Sequence, residues 1–133
     1  MGIERRIYIN NDLDIVVVRM QARELAKQMG FGTADQARIS LAASELARVL
    51  SWNTGDPGEI IMSDASQNGQ HGMQVACRVS LSQVGSDGEV GVAQETAVSN
   101  RSLAGACQLV DESIVEEQEN NQAEVTLIKW LKG

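Results

Sequence analysis

Apolar residues recur at helical spacing near the start of the chain. They lie three or four positions apart, which places them on one face of a helix. These residues are Val18, Ala22, Leu25 and Met29. Asp12 is suited to cap the start of this helix, and Gly30 is a natural terminator because glycine adopts a left-handed backbone without strain. The pattern therefore predicts a first helix that spans roughly residues 12–30.

A second helical pattern follows at once. The segment 33–36 (TADQ) reads as a capping box, in which the Thr33 hydroxyl and the Gln36 side chain satisfy each other's backbone amides. The apolar stripe of this helix is Ile39, Ala43, Leu46 and Leu50, and a different face carries Ser44, Glu45, Arg48 and Trp52. The spacing predicts a helix that runs to about Trp52.

The remaining patterns are mostly those of strands. Alternating or β-rich segments predict strands over residues 4–10, 59–64, 73–81, 113–117 and 123–130. Asn68-Gly69 is a strong hairpin signal, and apolar spacing over 103–110 predicts a short helix. Because helices do not alternate with every strand, the order predicts an α+β fold. We expect residues 1–133 to form one domain, a two-layer sandwich of a mixed sheet with helices on one face.

Charge and hydropathy exclude several classes of function. The chain has 133 residues, of which 43% are hydrophobic, and its net charge is -7. Such a charge repels phosphate backbones, so nucleic acid is not an expected partner. The longest aliphatic run covers only residues 15–18, far short of the ~20 residues that a membrane span needs. We therefore expect a cytoplasmic protein that makes no membrane contact.

Familiar catalytic and metal motifs are missing from the sequence. His71 is the only histidine, so a Cys/His zinc site is excluded, and neither a P-loop nor a Gly-x-Ser-x-Gly elbow occurs. Cys77 and Cys107 are expected to be buried structural thiols, with a disulfide as the alternative. Residues 85–100 fit either a mobile loop or an irregular helix. From the residues alone, Glu45 is expected to form an i,i+3 surface ion pair with Arg48.

Three segments resemble a known family. Residues 14–19 (DIVVVR), 23–39 (RELAKQMGFGTADQARI) and 44–48 (SELAR) are similar to the bacterial switch serine/threonine kinases and anti-sigma-factor kinases. These kinases belong to the histidine-kinase-like ATPase (GHKL) superfamily. Weaker similarity continues over 58–61, 72–78, 103–112 and 125–131. The resemblance implies a mixed sheet covered by helices on one side, with ATP held between the long helix and a lid.

The resemblance also implies a nucleotide site, and this chain departs from it. In the family, a Glu on the long helix orients the attacking group, and an Asn four residues later ligates Mg²⁺. Glu45 matches the Glu, but Val49 stands at the Asn position. The family's Asp-x-Gly-x-Gly motif aligns with Val79, Leu81 and Gln83, and residues 97–102 lack the glycines of a nucleotide lid.

These departures predict a pseudoenzyme with no bound cofactor. Glu45 would be an inactive catalytic remnant, while Arg48 and Trp52 would contact a protein partner, since Arg and Trp are enriched in interface hot spots. The partner would be a STAS-domain antagonist, a PP2C-type phosphatase or a sigma factor of a partner-switching pathway. Two alternatives stay open. One is an active serine/threonine kinase that uses ATP and Mg²⁺ through an altered site, and the other is a structural or oligomerisation domain such as a homodimer.

Overall fold

The computed structural model describes residues 3–51, 58–80, 103–118 and 122–131. Its elements in chain order are β1 (Glu4–Ile9), α1 (Asp12–Met29), α2 (Thr33–Ser51), β2 (Gly58–Gln67), β3 (Gln70–Ser80), α3 (103–108), β4 (Glu112–Gln118) and β5 (Gln122–Trp130). This is the order that the sequence predicts, and the α+β fold class is confirmed. The expectations for residues 85–100 lie outside the described residues.

The five strands form one sheet in the order β1-β2-β3-β5-β4. Every neighbouring pair is antiparallel, so the described sheet is not mixed, which corrects the expectation from the sequence. The connection between β1 and β2 explains the difference. A single crossover helix would bring the chain back to start a parallel strand. Two successive helices, α1 and α2, add a second pass along the sheet, and β2 therefore starts at the end where β1 finishes.

Helix α1 begins at a complete capping box. Asn11 Oδ1 accepts the amide N–H of Leu13 at 2.9 Å, and the Asp14 carboxylate accepts the N–H of Asn11 at 3.3 Å. The cap is therefore Asn11 rather than Asp12, one residue earlier than predicted. The helix ends as predicted at Gly30, whose φ of 99° is left-handed and whose N–H donates to the carbonyls of the last turn.

Helix α2 starts differently from the sequence prediction. The backbone N–H of Gln36 donates to the Gly32 carbonyl at 2.9 Å, and its side-chain amide donates to the Phe31 carbonyl at 2.8 Å. The Gln36 side chain thus reaches past Thr33 to the loop that joins the two helices. Thr33 is the first helical residue rather than the cap. The helix lies where the sequence predicts it. Its start is stabilised by hydrogen bonds from Gln36 to the Gly32 and Phe31 carbonyls rather than by the predicted capping box.

The core lies between the two long helices and one face of the sheet. The predicted apolar stripe of α2 is buried throughout, and on α1 Val18, Ala22 and Leu25 are fully buried while Met29 is half-buried. Strand β2 alternates as a half-covered strand should, with Ile60 and Met62 buried. The largest fully buried side chains include Leu25, Ile39, Leu46, Leu50, Ile60, Met62, Met73 and Leu127. Their removal from water is the main force that holds the two layers together.

The hairpin between β2 and β3 is the one that the sequence predicts. Asn68 and Gly69 both have positive φ, at 52° and 83°. Positive φ at both central residues defines a type I′ turn, whose twist matches that of the strands it joins. None of the described helices is long and apolar enough to cross a lipid bilayer.

Candidate functional site

Beyond Ser40, helix α2 leaves only a narrow line of its surface exposed. Leu41, Glu45 and Arg48 lie three or four positions apart on this line, which we call the α2 ridge. Leu41 is 44% exposed, and the side chains of Glu45 and Arg48 are 21% and 40% exposed. Ser44 does not belong to it, contrary to expectation, because it is fully buried and donates its hydroxyl to the Leu41 carbonyl at 2.8 Å.

The predicted ion pair between Glu45 and Arg48 is present. Glu45 Oε1 lies 4.0 Å from Arg48 Nη2, which is a loose contact for such a pair. Because both side chains are partly solvated, the pair contributes only about 0.2–0.5 kcal/mol to helix stability. Arg48 also stands in the last turn of α2, where a positive charge complements the negative end of the helix dipole. The carboxylate of Glu45 is thus held by a neighbouring guanidinium on its own helix.

Val49 lies one turn beyond Glu45 and has no exposed surface. Its aliphatic side chain offers no oxygen, whereas Mg²⁺ takes oxygen ligands almost exclusively. Among the residues that the structure describes, no three His, Cys, Asp or Glu side chains come together in a way that could hold a metal ion. The Val49 side chain therefore cannot ligate a metal ion. Chemically, this part of α2 offers one carboxylate, on Glu45, and the guanidinium group of Arg48 for polar contacts.

Part of the sequence-predicted site lies outside the described residues. This applies to Trp52, to Leu81 and Gln83, to the segment 97–102 that aligns with the family's lid, and to the side chain of Val79. Of the predicted site residues, the structure brings Glu45 and Arg48 together. Val49, at the position of the expected metal ligand, is buried in the core. The two cysteines are free thiols, as expected, but only Cys77 is buried and Cys107 is half-buried.

The sequence reasoning missed a buried lysine. Lys129 on β5 is 5% exposed, and its Nζ lies 3.2 Å from Asp111 Oδ1 and 3.8 Å from Asp35 Oδ1. The same Asp35 oxygen accepts a hydrogen bond from Arg38 at 2.8 Å. The sequence pattern of β5 could have identified it as buried. Strand residues that alternate share one face, and the inward face of β5 carries Ala123, Val125, Leu127 and Lys129. This cluster ties the start of α2 to the last hairpin of the sheet.

Comparison with characterised proteins settles the family. Serine/threonine-protein kinase RsbT of Bacillus subtilis (strain 168) is 31% identical to this chain over 131 residues, which cover 95% of the chain and 96% of the relative. The chain belongs to the switch serine/threonine-kinase family. The resemblance seen in the sequence is thereby confirmed. No family model matches the chain.

As a switch-kinase family member, the chain combines a retained scaffold with an altered helix. The similarity extends over nearly the full length of both proteins, so it is not confined to one motif. The Glu expected from the family is present as Glu45, while the expected magnesium ligand is replaced by the buried Val49. On α2, the position that differs from the family pattern is thus the one to which the resemblance assigns the metal ligand.

Proposed function

We propose that this protein is a regulatory, protein-binding member of a bacterial partner-switching pathway of the anti-sigma or stress-response type, and that it neither binds nucleotide nor phosphorylates its partner. The single observation that carries the proposal is the complete burial of Val49 at the position of the family's magnesium ligand. Phosphoryl transfer depends almost wholly on positioning and on charge neutralisation by the metal. Without that ligand, Glu45 would add negative charge beside the phosphates.

The magnitude of the loss supports a pseudoenzyme. Each lost polar contact to a nucleotide costs about 1–3 kcal/mol. The Asn and the Asp-x-Gly-x-Gly positions are replaced by Val49, Val79, Leu81 and Gln83. Together these losses reach at least ~4 kcal/mol, about a thousandfold in affinity. On this proposal residues 1–133 act as one degenerate ATPase-like domain with no cofactor.

The α2 ridge is the proposed partner-binding surface. It presents an apolar side chain, Leu41, two helical turns before the partly exposed Arg48. Arginine is enriched among the residues that contribute most to the binding energy of protein interfaces. We propose a partner of the switching type, namely a STAS-domain antagonist, a PP2C-type phosphatase or a sigma factor, and we include Trp52 in the contact.

Nucleotide binding tests the first half of the proposal. Isothermal titration calorimetry of the purified protein with Mg·ATP is expected to show no binding up to millimolar nucleotide. Val49→Asn is the matched variant, because it puts the family's ligand back without changing Glu45. We expect this single change to leave the protein unable to bind ATP, since the other positions remain altered. Micromolar binding by the wild-type protein would overturn the proposal and favour the active kinase.

Partner binding tests the second half. We expect Arg48→Ala and Trp52→Ala each to weaken binding to a purified switching-type partner by at least ~1 kcal/mol. Arg78→Ala is the matched control, because Arg78 is exposed on β3 rather than on α2. If Arg78→Ala weakens binding as much as Arg48→Ala, the α2 ridge is not the contact surface. If no switching-type partner binds at all, the proposed function fails, even if ATP binding is absent.

A further inference from the structure

The turn between β2 and β3 exposes an asparagine that stands directly before a glycine. Asn68 and Gly69 are its two loop residues, and both are exposed, as are Gln67 and Gln70 on either side. Apart from its chain neighbours, a Cβ atom at Gly69 would meet no atom of the described residues within 4 Å. Each of the other six asparagines of the chain precedes a residue that carries a side chain. Asn68 therefore has the least hindered access to the peptide nitrogen that follows it.

We propose that Asn68 is a site of spontaneous deamidation in the folded protein. The backbone nitrogen of Gly69 gives up its proton to solvent and attacks Cγ of the Asn68 side chain. A C–N bond forms and the side-chain amide leaves as ammonia, which closes a succinimide ring. Water then opens the ring at either carbonyl and yields aspartate or isoaspartate. The net reaction consumes one water molecule and releases one molecule of ammonia, and no atom is oxidised or reduced.

The glycine favours the attack in two ways. Because Gly69 has no Cβ, the Asn68 side chain approaches its nitrogen without a steric barrier. The cross-strand ladder pairs Gln67 with Gln70, and Gly69 lies between them in the loop, outside the ladder. Its nitrogen can therefore react without the loss of a ladder hydrogen bond between the strands.

The folded turn slows ring closure but does not prevent it. Ring closure needs Cβ of Asn68 and the nitrogen of Gly69 eclipsed about the Cα–C bond, and the type I′ turn holds this bond in another rotation. The turn must therefore open first. Ser66 Oγ lies 3.1 Å from His71 Nδ1, and this contact can hold the two strands together next to the open loop. Opening of an exposed turn alone costs far less free energy than unfolding of the sheet.

The two products differ in their effect on the hairpin. Asp-Gly forms the same type I′ turn as Asn-Gly, so the aspartate product keeps the hairpin and adds one negative charge. Isoaspartate adds a methylene group to the backbone of a two-residue loop, which disturbs the pairing of Gln67 with Gln70. The disturbance lies close to His71, whose carbonyl accepts the N–H of Leu131 at 2.8 Å. We therefore expect only the isoaspartate product to lower the melting temperature.

Peptide mapping by mass spectrometry after incubation of the full chain at pH 8 tests the site. The rate of conversion at Asn68 is measured in buffer and in guanidinium chloride that unfolds the chain. A site that reacted only in the globally unfolded state would be slowed at least ~10³-fold by folding. We expect a smaller factor, because local opening of the turn is sufficient. A folded protein that is slowed by that factor or more overturns the proposal, and so does an unfolded chain in which Asn68 stays intact.

Two variants of the same residue complete the test. Asn68→Gly is the matched control, because Gly-Gly also forms type I′ turns but offers no side-chain amide. If this variant gains negative charge as fast as wild type, the reacting amide lies elsewhere and the proposal is wrong. Asn68→Asp supplies the aspartate product as a pure protein and is expected to melt with wild type. An isoaspartate fraction that melts at the same temperature as Asn68→Asp overturns the proposed effect on the hairpin.

Discussion

Lys129 Nζ lies 3.2 Å from Asp111 Oδ1 and 3.3 Å from its Oδ2, so the last strand of the sheet holds the residue just before β4 through a buried ammonium group. Asp111 Oδ2 also accepts the backbone N–H of Trp130 at 2.7 Å. One carboxylate therefore satisfies two groups at the end of β5. A buried lysine is costly unless it is paired in this way.

This arrangement predicts an asymmetry between two substitutions. Asp111→Ala leaves the buried Lys129 with the more distant carboxylate of Asp35 as its acidic neighbour in the described parts of the chain, and we expect it to lower the free energy of unfolding by about 1–3 kcal/mol. Lys129→Met removes the buried charge itself and leaves two partly solvated carboxylates, so we expect a smaller loss. Urea denaturation of both variants measures the difference. A larger loss for Lys129→Met than for Asp111→Ala would contradict the interpretation.

A side chain at position 72 is expected to clash with neighbouring atoms at the centre of the sheet. Gly72 on β3 pairs with Trp130 on β5, and a Cβ atom at Gly72 would run into the Lys129 carbonyl oxygen and come within 2.9 Å of the Trp130 ring. We expect Gly72→Ala to destabilise the protein by about 1–3 kcal/mol. Gly105→Ala in α3 is the control, because a Cβ there meets nothing within 4 Å, and alanine favours a helix. Thermal melts should show the first variant below wild type and the second at or above it.

The burial of the Cys77 thiol is expected to lower the stability of the folded protein at alkaline pH. Burial raises the pKa of the Cys77 thiol from 9.0 to about 12. The unfolded chain loses this proton near pH 9 while the folded chain keeps it, so the unfolded state binds fewer protons above that pH. The contribution is complete below about pH 9 and is lost as the pH rises towards 12. Unfolding measured between pH 8 and 11 should therefore depend less on pH in Cys77→Val than in wild type.

Thiol labelling is an independent readout of the same burial. At pH 8 the half-buried Cys107 should react with a disulfide reagent before Cys77, which should react only on unfolding. In a Cys107→Ser variant the fast phase should disappear. A fast phase that survives in that variant would show that Cys77 is accessible in the folded protein.

Substitution of Glu45 is expected to have almost no effect, and this outcome distinguishes an inactive remnant from a catalytic group. Its contact with Arg48 is loose, so Glu45→Ala should change the free energy of unfolding by no more than about 0.5 kcal/mol. The substitution should also leave any transfer of labelled phosphate from ATP to a switching-type partner at the background level of the wild type. A clear wild-type signal that disappears in Glu45→Ala would restore the kinase interpretation.

Much of the candidate site can be predicted from the sequence, but the sequence does not predict which of its side chains are buried. The alignment of Glu45 and Val49 with the family pattern, and the pairing of Glu45 with Arg48, needed only residue spacing. Whether Val49 faces solvent or the core depends on which other elements pack on α2. Ser44 is a second example. Its spacing places it on the same helix face as Glu45, but the packing of the folded protein buries it completely.

The sequence by itself determined the order and type of the elements, because caps, turn residues and apolar periodicity act over a few neighbouring positions. Asn68-Gly69 specifies its hairpin, and Gly30 ends α1, whatever the rest of the chain does. Only the tertiary structure decided the antiparallel direction of every described strand pair, the burial of Val49 and Lys129, and the exposure of four apolar residues on α1, namely Leu13, Val16, Val17 and Met20. These properties depend on contacts between residues far apart in the sequence, and a local pattern that suits two faces of a helix cannot specify which of them the core will cover.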